Sequence, residues 1–142
     1  MPRHGPVADL LDHPLIARLV AFGLDRDDFV LFGSAPLLAN GLRTEIRDLD
    51  VVARGDAWRY AWQHGFRGVG GISGDDVAQF WGGRIQFSRR WMSPARGPDE
   101  LIDTAQVVDG LRFALLEDVL AYKRLLLRPK DVADIGVISS LS

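Results

Sequence analysis

Apolar residues recur at helical spacing near both ends of the chain. The first such stretch runs from Asp9 to Phe22, and its spacing predicts an amphipathic helix that belongs to the scaffold. A second runs from Leu116 to Leu127 and stops before Pro129, since the residue ahead of a proline disfavours helical geometry. A last helix is expected from Lys130 to about Ile138. The pattern thus predicts one helix near the start and two at the end.

Between these helices, an unbroken apolar run predicts a buried strand. It extends from Phe29 to Phe32 and stops at Gly33-Ser34, a pair typical of a tight turn. The next segment, Ala35 to Leu42, favours a helix that ends near Gly41. The sequence therefore predicts a strand, a glycine-serine turn and a helix in succession.

The segment from Asp48 to Val52 alternates acidic and apolar residues. Because successive side chains of a strand point to opposite faces, a strand here sends Asp48 and Asp50 to the same face. A further helix is expected after it, with Asp56 as its N-cap residue and an end before Gly65.

Two glycine-containing dipeptides predict hairpins. Gly82-Gly83 and Asp109-Gly110 each separate apolar-rich runs, and both suit a two-residue turn with positive φ. The expected strands are Val77–Trp81 with Arg84–Ser88, and Val107–Val108 with Leu111–Ala114. We assign no helix or strand to the glycine-rich stretch 65–74. Helices that alternate with short strands, some of them paired in hairpins, indicate an α+β (mixed α/β) fold, and we expect one domain over residues 1–142.

The composition fits one folded domain. The chain has 142 residues, of which 47% are hydrophobic and 25% are charged, a balance typical of globular proteins. It has no cysteine, so a metal would need oxygen or imidazole ligands, which favours a hard ion such as Mg²⁺. The net charge of −2 gives no global attraction to nucleic acid. We expect a cytoplasmic protein with no membrane partner, because no segment has the pattern of a signal peptide or a membrane span.

The glycine-serine turn and the Asp48-x-Asp50 strand together suggest a site for a metal-bound nucleotide. At Gly33 the backbone can approach a phosphate closely, and the Ser34 hydroxyl and neighbouring N–H groups can donate to its oxygens. Two carboxylates on one strand face can share Mg²⁺ ions that bridge phosphates. Alone, a Gly-Ser pair is usually a simple turn, and an Asp-x-Asp pair is usually a solvated strand face. Their occurrence in this order favours the site.

These residues resemble the signature of the DNA polymerase beta-like nucleotidyltransferase superfamily. The end of the chain is similar to small bacterial nucleotidyltransferase-like proteins of the abortive-infection toxin type. The matching segments are Phe32-Gly33-Ser34, Asp48-Leu49-Asp50-Val51, Leu116-Glu117-Asp118-Val119-Leu120-Ala121-Tyr122-Lys123 and Arg128-Pro129-Lys130-Asp131-Val132-Ala133-Asp134-Ile135.

The resemblance implies a nucleotidyltransferase fold, a small mixed sheet flanked by helices, and a set of residue roles. Gly33 and Ser34 would contact phosphates, Asp48 and Asp50 would bind Mg²⁺ and act in catalysis, and Lys123 would reach a phosphate or the base. The substrate would be a nucleoside triphosphate (NTP), such as ATP. Its NMP group would pass to a hydroxyl of a small molecule, a protein or an RNA end.

Two further acids near the end of the chain have an alternative interpretation. The resemblance leaves a functional role open for Asp131 and Asp134. Aspartates in the first turn of a helix also suit the helix dipole, so these two residues can instead cap and salt-bridge the last helix.

One position departs from the resemblance. Nucleotide-transferring members commonly have a third carboxylate on a later strand, where it binds metal and acts as a base, but the expected strand carries Gln86 there. An amide cannot take a proton and is a weak Mg²⁺ ligand. Either another acid, such as Asp75, Asp76 or Asp109, fills the place, or the chemistry is impaired. The alternatives to an enzyme are an inactive module that binds a nucleotide or a partner protein, for example in a toxin-antitoxin system, and a structural dimer-forming domain without a ligand.

Overall fold

One seven-stranded mixed sheet organises the protein. The computed structural model describes residues 10–70, 75–90 and 97–141. The strands are β1 Phe29–Phe32, β2 Leu49–Ala53, β3 Phe66–Val69, β4 Asp76–Phe80, β5 Ile85–Ser88, β6 Gln106–Val108 and β7 Leu111–Phe113. The helices are α1 Pro14–Ala21, α2 Ala35–Ala39, α3 Gly55–His64, α4 Pro98–Asp103, α5 Leu116–Leu126 and α6 Pro129–Ser139. Sheet and helices together confirm the α+β class expected from the sequence.

The two strands that carry the candidate residues lie side by side at the centre of the sheet. The strand order is β3-β4-β5-β2-β1-β7-β6. Strand β1 runs antiparallel to β2, with Phe32 opposite Asp50. Strand β5 runs parallel to β2 on its other side, with Gln86 opposite Asp50. The C-terminal end of β1 therefore meets the acidic start of β2.

Alternation along the central strands divides the core between the two sheet faces. Leu49 and Val51 of β2 pack into one apolar cluster, together with α1 residues such as Ile16. Val52 packs into a second cluster, with residues of α4 and α5 such as Val119. Because side chains two apart share a face, Asp50 points to the same side of the sheet as Val52. The fold thus directs this carboxylate toward the α5 and α6 side.

The N-terminal helix is shorter than expected. Residues Leu10–Asp12 form a 3₁₀ turn, and α1 begins at Pro14, where the His13 ring accepts a hydrogen bond from the Leu15 backbone. Asp9, the expected first residue, lies outside the described residues. Helix α2 ends at Ala39, earlier than the expected Leu42.

Two local predictions are wrong. Helix α3 begins at Gly55 with Arg54 as its N-cap residue, so Asp56 lies in the first turn and is not the cap. Strand β3 was not expected in the glycine-rich stretch, and it pairs antiparallel with β4. The phenylalanine and valine that end β3 are mostly exposed, so the strand lacks the buried alternation that marks most strands. Residues 71–74 of the same stretch lie outside the described residues.

The two predicted hairpins form with different turns. Strands β6 and β7 pair up to Val108 and Leu111, so Asp109 and Gly110 make the two-residue turn, both with positive φ. Strands β4 and β5 pair up to Phe80 and Ile85, which leaves the four residues 81–84 as a wider turn than expected. Within the described ranges, no helix is long and apolar enough to cross a membrane.

Candidate functional site

Gly33 and Asp50 are in direct apposition at the end of β1. Gly33 has a φ of +65°, a backbone conformation that favours glycine. A Cβ atom placed on it would lie 2.5 Å from Oδ2 of Asp50. A side chain at position 33 would therefore displace the Asp50 carboxylate. The turn and the acidic strand predicted separately from the sequence meet at one point.

A cleft of about 840 Å³ opens at this point, between the sheet and the C-terminal helices. All five residues selected from the sequence line it: Gly33, Ser34, Asp48, Asp50 and Lys123. Its other polar lining residues are Arg43, Glu45, Arg47, Gln86, Ser88, Arg90, Tyr122, Arg128, Lys130 and Asp134. With six arginines and lysines against four acids, the cleft can accept an anion that carries several charges.

The Asp50 carboxyl is electrostatically unusual. Burial raises its pKa to about 6, and the nearby negative charge of Asp48 acts in the same direction. The positive charges of Lys130, Arg128 and Lys123 oppose this rise. Asp48 immediately precedes β2, which begins at Leu49, and a cation close to both carboxylates would reduce their repulsion.

Asp48 and Asp50 suit Mg²⁺ only as a partial ligand set. Mg²⁺ is commonly held by one or two carboxylates together with water and substrate phosphates. Within residues 10–70, 75–90 and 97–141, no group of three or more histidine, aspartate or glutamate residues is arranged to hold a metal. Asp48 and Asp50 alone are therefore an incomplete Mg²⁺ ligand set, and the remaining ligands would have to be water or oxygens of a bound substrate.

Gln86 lies beside Asp50, at the strand position where the resemblance implies a third carboxylate. It lies directly opposite Asp50 in the register of β2 and β5, and it lines the cleft. Its Oε1 accepts a hydrogen bond of 2.7 Å from Nε2 of Gln79 on β4. The three alternative acids, Asp75, Asp76 and Asp109, do not line the cleft. The strand position next to Asp50 therefore carries an amide, and none of these three acids replaces it.

Lys123 is held by buried ion pairs. Its side chain is 4% exposed, and Nζ lies 3.1 Å from Oδ2 of Asp134 and 3.5 Å from Oδ1 of Asp131. These contacts fix the lysine in the cleft wall. The neighbouring Lys130 lines the same cleft with an exposed side chain. Lys130, more than Lys123, is available to an incoming anion.

Asp131 joins the two C-terminal helices. Its Oδ2 accepts hydrogen bonds from the Arg128 backbone N–H at 3.0 Å and from Arg128 Nε at 2.6 Å. Burial acts to raise the pKa of Asp131, but these hydrogen bonds outweigh it, so the pKa lies below its ordinary value. The expected capping of the last helix is therefore confirmed for Asp131. Asp134 pairs instead with Lys123 and Arg43.

Several cleft residues were not selected from the sequence. Arg43 follows the short helix α2, and its backbone N–H and that of Leu42 both donate to the Leu37 carbonyl, so the chain folds back toward the turn. The only sequence signal for this return is Gly41, which has a φ of +74°. Tyr122 packs edge-on against Phe32, with ring centroids 4.7 Å apart. Neither contact could be read from spacing along the chain.

No protein-family model, no curated protein and no solved structure matches this chain. The interpretation of the cleft therefore rests on its own residues and geometry.

Proposed function

We propose that this chain is a metal-dependent nucleotidyltransferase with a nucleotidyltransferase fold. It would bind an NTP in the cleft and transfer the NMP group to a hydroxyl of a small molecule, a protein or an RNA end. The observation that carries the proposal is the apposition of Gly33 with Asp50, at 2.5 Å from a Cβ position to Oδ2. Gly33, which has no side chain, meets Asp50 there in the wall of a cleft that six arginines and lysines also line, a combination suited to a metal-bound triphosphate.

Four residues of the cleft have a defined task in this proposal: Gly33, Ser34, Lys130 and Lys123. The Gly33 backbone allows a phosphate to approach the turn, and the Ser34 hydroxyl donates to a phosphate oxygen. Exposed cations such as Lys130 neutralise the charge of the phosphate chain. Lys123 holds the cleft wall through Asp131 and Asp134.

The reaction is a displacement at phosphorus. The acceptor hydroxyl oxygen forms a bond to the α-phosphorus, the bond from this phosphorus to the departing pyrophosphate breaks, and the hydroxyl proton passes to water. Mg²⁺ bound by Asp48 and Asp50 would neutralise charge on the phosphates. The protein contributes chiefly by positioning the two reactants and by fixed charges.

Turnover with labelled nucleotides tests the proposal. The purified protein is incubated with each labelled NTP, MgCl₂ and candidate acceptors, beside Asp48→Asn and Asp50→Asn. Asp56→Asn is the matched control, because Asp56 is exposed on α3 and does not line the cleft. We expect label transfer by the wild type and by the control only. If wild-type protein neither binds nor transfers any nucleotide, the proposal is refuted.

Gln86 favours a second candidate function. A site with an amide beside Asp50 can bind a metal-nucleotide complex yet lack the base that a transfer reaction uses. The chain would then be an inactive, regulatory nucleotide- or partner-binding module, for example in a toxin-antitoxin system. Calorimetry separates the two functions. Binding of Mg-ATP without pyrophosphate release for any acceptor supports the module, and measurable pyrophosphate release rejects it.

A further inference from the structure

The Ser34 side chain does not play its usual structural role. Ser34 is the N-cap residue of α2, a position where serine normally accepts a hydrogen bond from a backbone N–H of the helix. Here its side chain makes no capping bond. Its Oγ instead accepts a hydrogen bond from Arg43 Nη1 at 3.1 Å.

Arg43 is in turn anchored from the other side of the cleft. The same Nη1 atom lies 3.7 Å from Oδ2 of Asp134, whose side chain is only 7% exposed. That oxygen also lies 3.1 Å from Nζ of the buried Lys123. The Arg43 side chain is 42% exposed and lines the cleft. It therefore connects the turn on the sheet to helices α5 and α6.

We propose that Arg43 is the positioning residue of the phosphate site, acting through the Ser34 hydroxyl. This inference rests on the proposed nucleotide-binding function and adds a residue that the resemblance to nucleotidyltransferases did not supply. A hydroxyl has one O–H donor and two acceptor lone pairs. Because Arg43 donates to Oγ, the hydroxyl hydrogen is left to donate elsewhere. It is then available to a phosphate oxygen in the cleft.

The contact with Asp134 restricts the conformation of the Arg43 side chain. An arginine on a loop would otherwise sample many rotamers, and Asp134 restricts it because the carboxylate is itself fixed by Lys123. Arg43 is thereby held where one guanidinium nitrogen faces both Ser34 and Asp134. The hydroxyl is oriented before a ligand arrives, which lowers the ordering cost of binding.

A double-mutant cycle tests the inference. The dissociation constant for Mg-ATP is measured by calorimetry for wild type, Ser34→Ala, Arg43→Ala and the double variant. We expect the dissociation constant to rise about tenfold in each single variant. If Arg43 acts through Ser34, the double variant stays within about twofold of the weaker single variant, because the second change removes nothing further.

Arg47→Ala is the matched control for loss of one positive charge. Arg47 also lines the cleft and is exposed, but it has no ion pair within the described parts of the chain. In an Arg47→Ala/Ser34→Ala double variant, the two effects on the dissociation constant should multiply. Far-UV circular dichroism and urea denaturation check that each variant folds. Should Arg43→Ala fail to fold, Arg43→Lys takes its place in the cycle, since it keeps the positive charge but lacks the guanidinium group that donates to Ser34.

The outcomes separate this inference from the function on which it rests. Wild-type protein that binds no Mg-ATP overturns both. If wild-type protein binds Mg-ATP but the affinity losses of Ser34→Ala and Arg43→Ala multiply, as expected for Arg47→Ala, only the positioning role of Arg43 is overturned. Binding with losses that do not multiply supports it.

Discussion

Gly33→Ala perturbs the closest contact of the candidate site. The new Cβ would lie 2.5 Å from Oδ2 of Asp50, on a backbone with a φ of +65°. An L-residue in this left-handed region costs about 1–2 kcal/mol of stability. Overpacking against Asp50 adds about 1–3 kcal/mol if the carboxylate stays in place. We therefore expect the free energy of unfolding to fall by roughly 2–5 kcal/mol.

A second glycine separates the two contributions. Gly23 has a similar φ of +71°, but a Cβ there would meet no atom within 4 Å. Gly23→Ala should thus lose only the backbone contribution, about 1–2 kcal/mol. Urea denaturation gives the loss of stability in each variant, and the difference between the two losses measures the effect of the contact with Asp50. Repeating Gly33→Ala in an Asp50→Ala background should remove that difference.

The stability of the two glycine variants shows whether Gly33 and Asp50 are in close contact. If Gly33→Ala and Gly23→Ala cost the same stability while Asp50 is present, the turn does not press on the carboxylate. The same result would remove the direct contact between Gly33 and Asp50 on which the candidate site is built. Mg-ATP binding measured on the Gly33→Ala protein adds a functional readout, and we expect it to weaken because Asp50 is displaced.

Three further predictions follow from the charges in and around the cleft. Because the pKa of Asp50 is raised from 3.8 to about 6, the folded protein holds this proton more tightly than the unfolded chain. The free energy of unfolding should therefore fall by up to about 3 kcal/mol as pH rises from about 4 to about 6; urea denaturation should show this slope, and Asp50→Asn should abolish it. Asp131→Ala should lower the free energy of unfolding, measured by urea denaturation, by about 3–5 kcal/mol, because it removes a carboxylate partner of the buried Lys123. Asp99 is an exposed ion-pair partner of Arg54, so Asp99→Ala should lower the free energy of unfolding by less than about 1 kcal/mol. Equal stability losses for Asp131→Ala and Asp99→Ala would contradict a stabilising role of the buried ion pairs of Lys123. Gln86→Glu should raise pyrophosphate release at least about tenfold if a missing base limits the chemistry, and an unchanged rate would show that it does not.

Local patterns in the sequence were sufficient to predict the two central strands, β1 and β2. Phe29 to Phe32 is apolar at every position and is buried throughout, so both its strand and its end at Gly33 could be predicted. The alternation of acidic and apolar residues predicted a strand from Asp48 to Val52, but β2 runs from Leu49 to Ala53, so of the two acids only Asp50 lies within it.

Other elements depended on contacts that no local pattern encodes. Strand β3 has a glycine in its interior and exposed ends, yet it forms because β4 offers it an edge. Arg54, the N-cap residue of α3, has an extended backbone whose N–H donates to the Asp28 carbonyl, and its side chain pairs with Asp99 and Asp103, which lie far away in the sequence. In such places tertiary contacts override a nearby capping residue like Asp56.

The same distinction applies to the candidate site. The five residues chosen from short motifs all line one cleft, but their partners come from remote segments. Asp134 meets Arg43 across ninety-one positions of sequence, and Lys123 is neutralised by acids of the following helix. Spacing alone could not show that the lysine is buried or that the serine hydroxyl accepts from an arginine.

Calorimetric titration of ATP, with and without Mg²⁺, tests the central claim most directly. It compares wild-type protein with the Asp48→Asn/Asp50→Asn double variant, after circular dichroism has shown that both are folded. We expect Mg²⁺-dependent binding to the wild type and a loss of at least about tenfold in the double variant. Undiminished binding by the folded double variant, or no binding by the wild type, would contradict a metal-nucleotide site at this cleft.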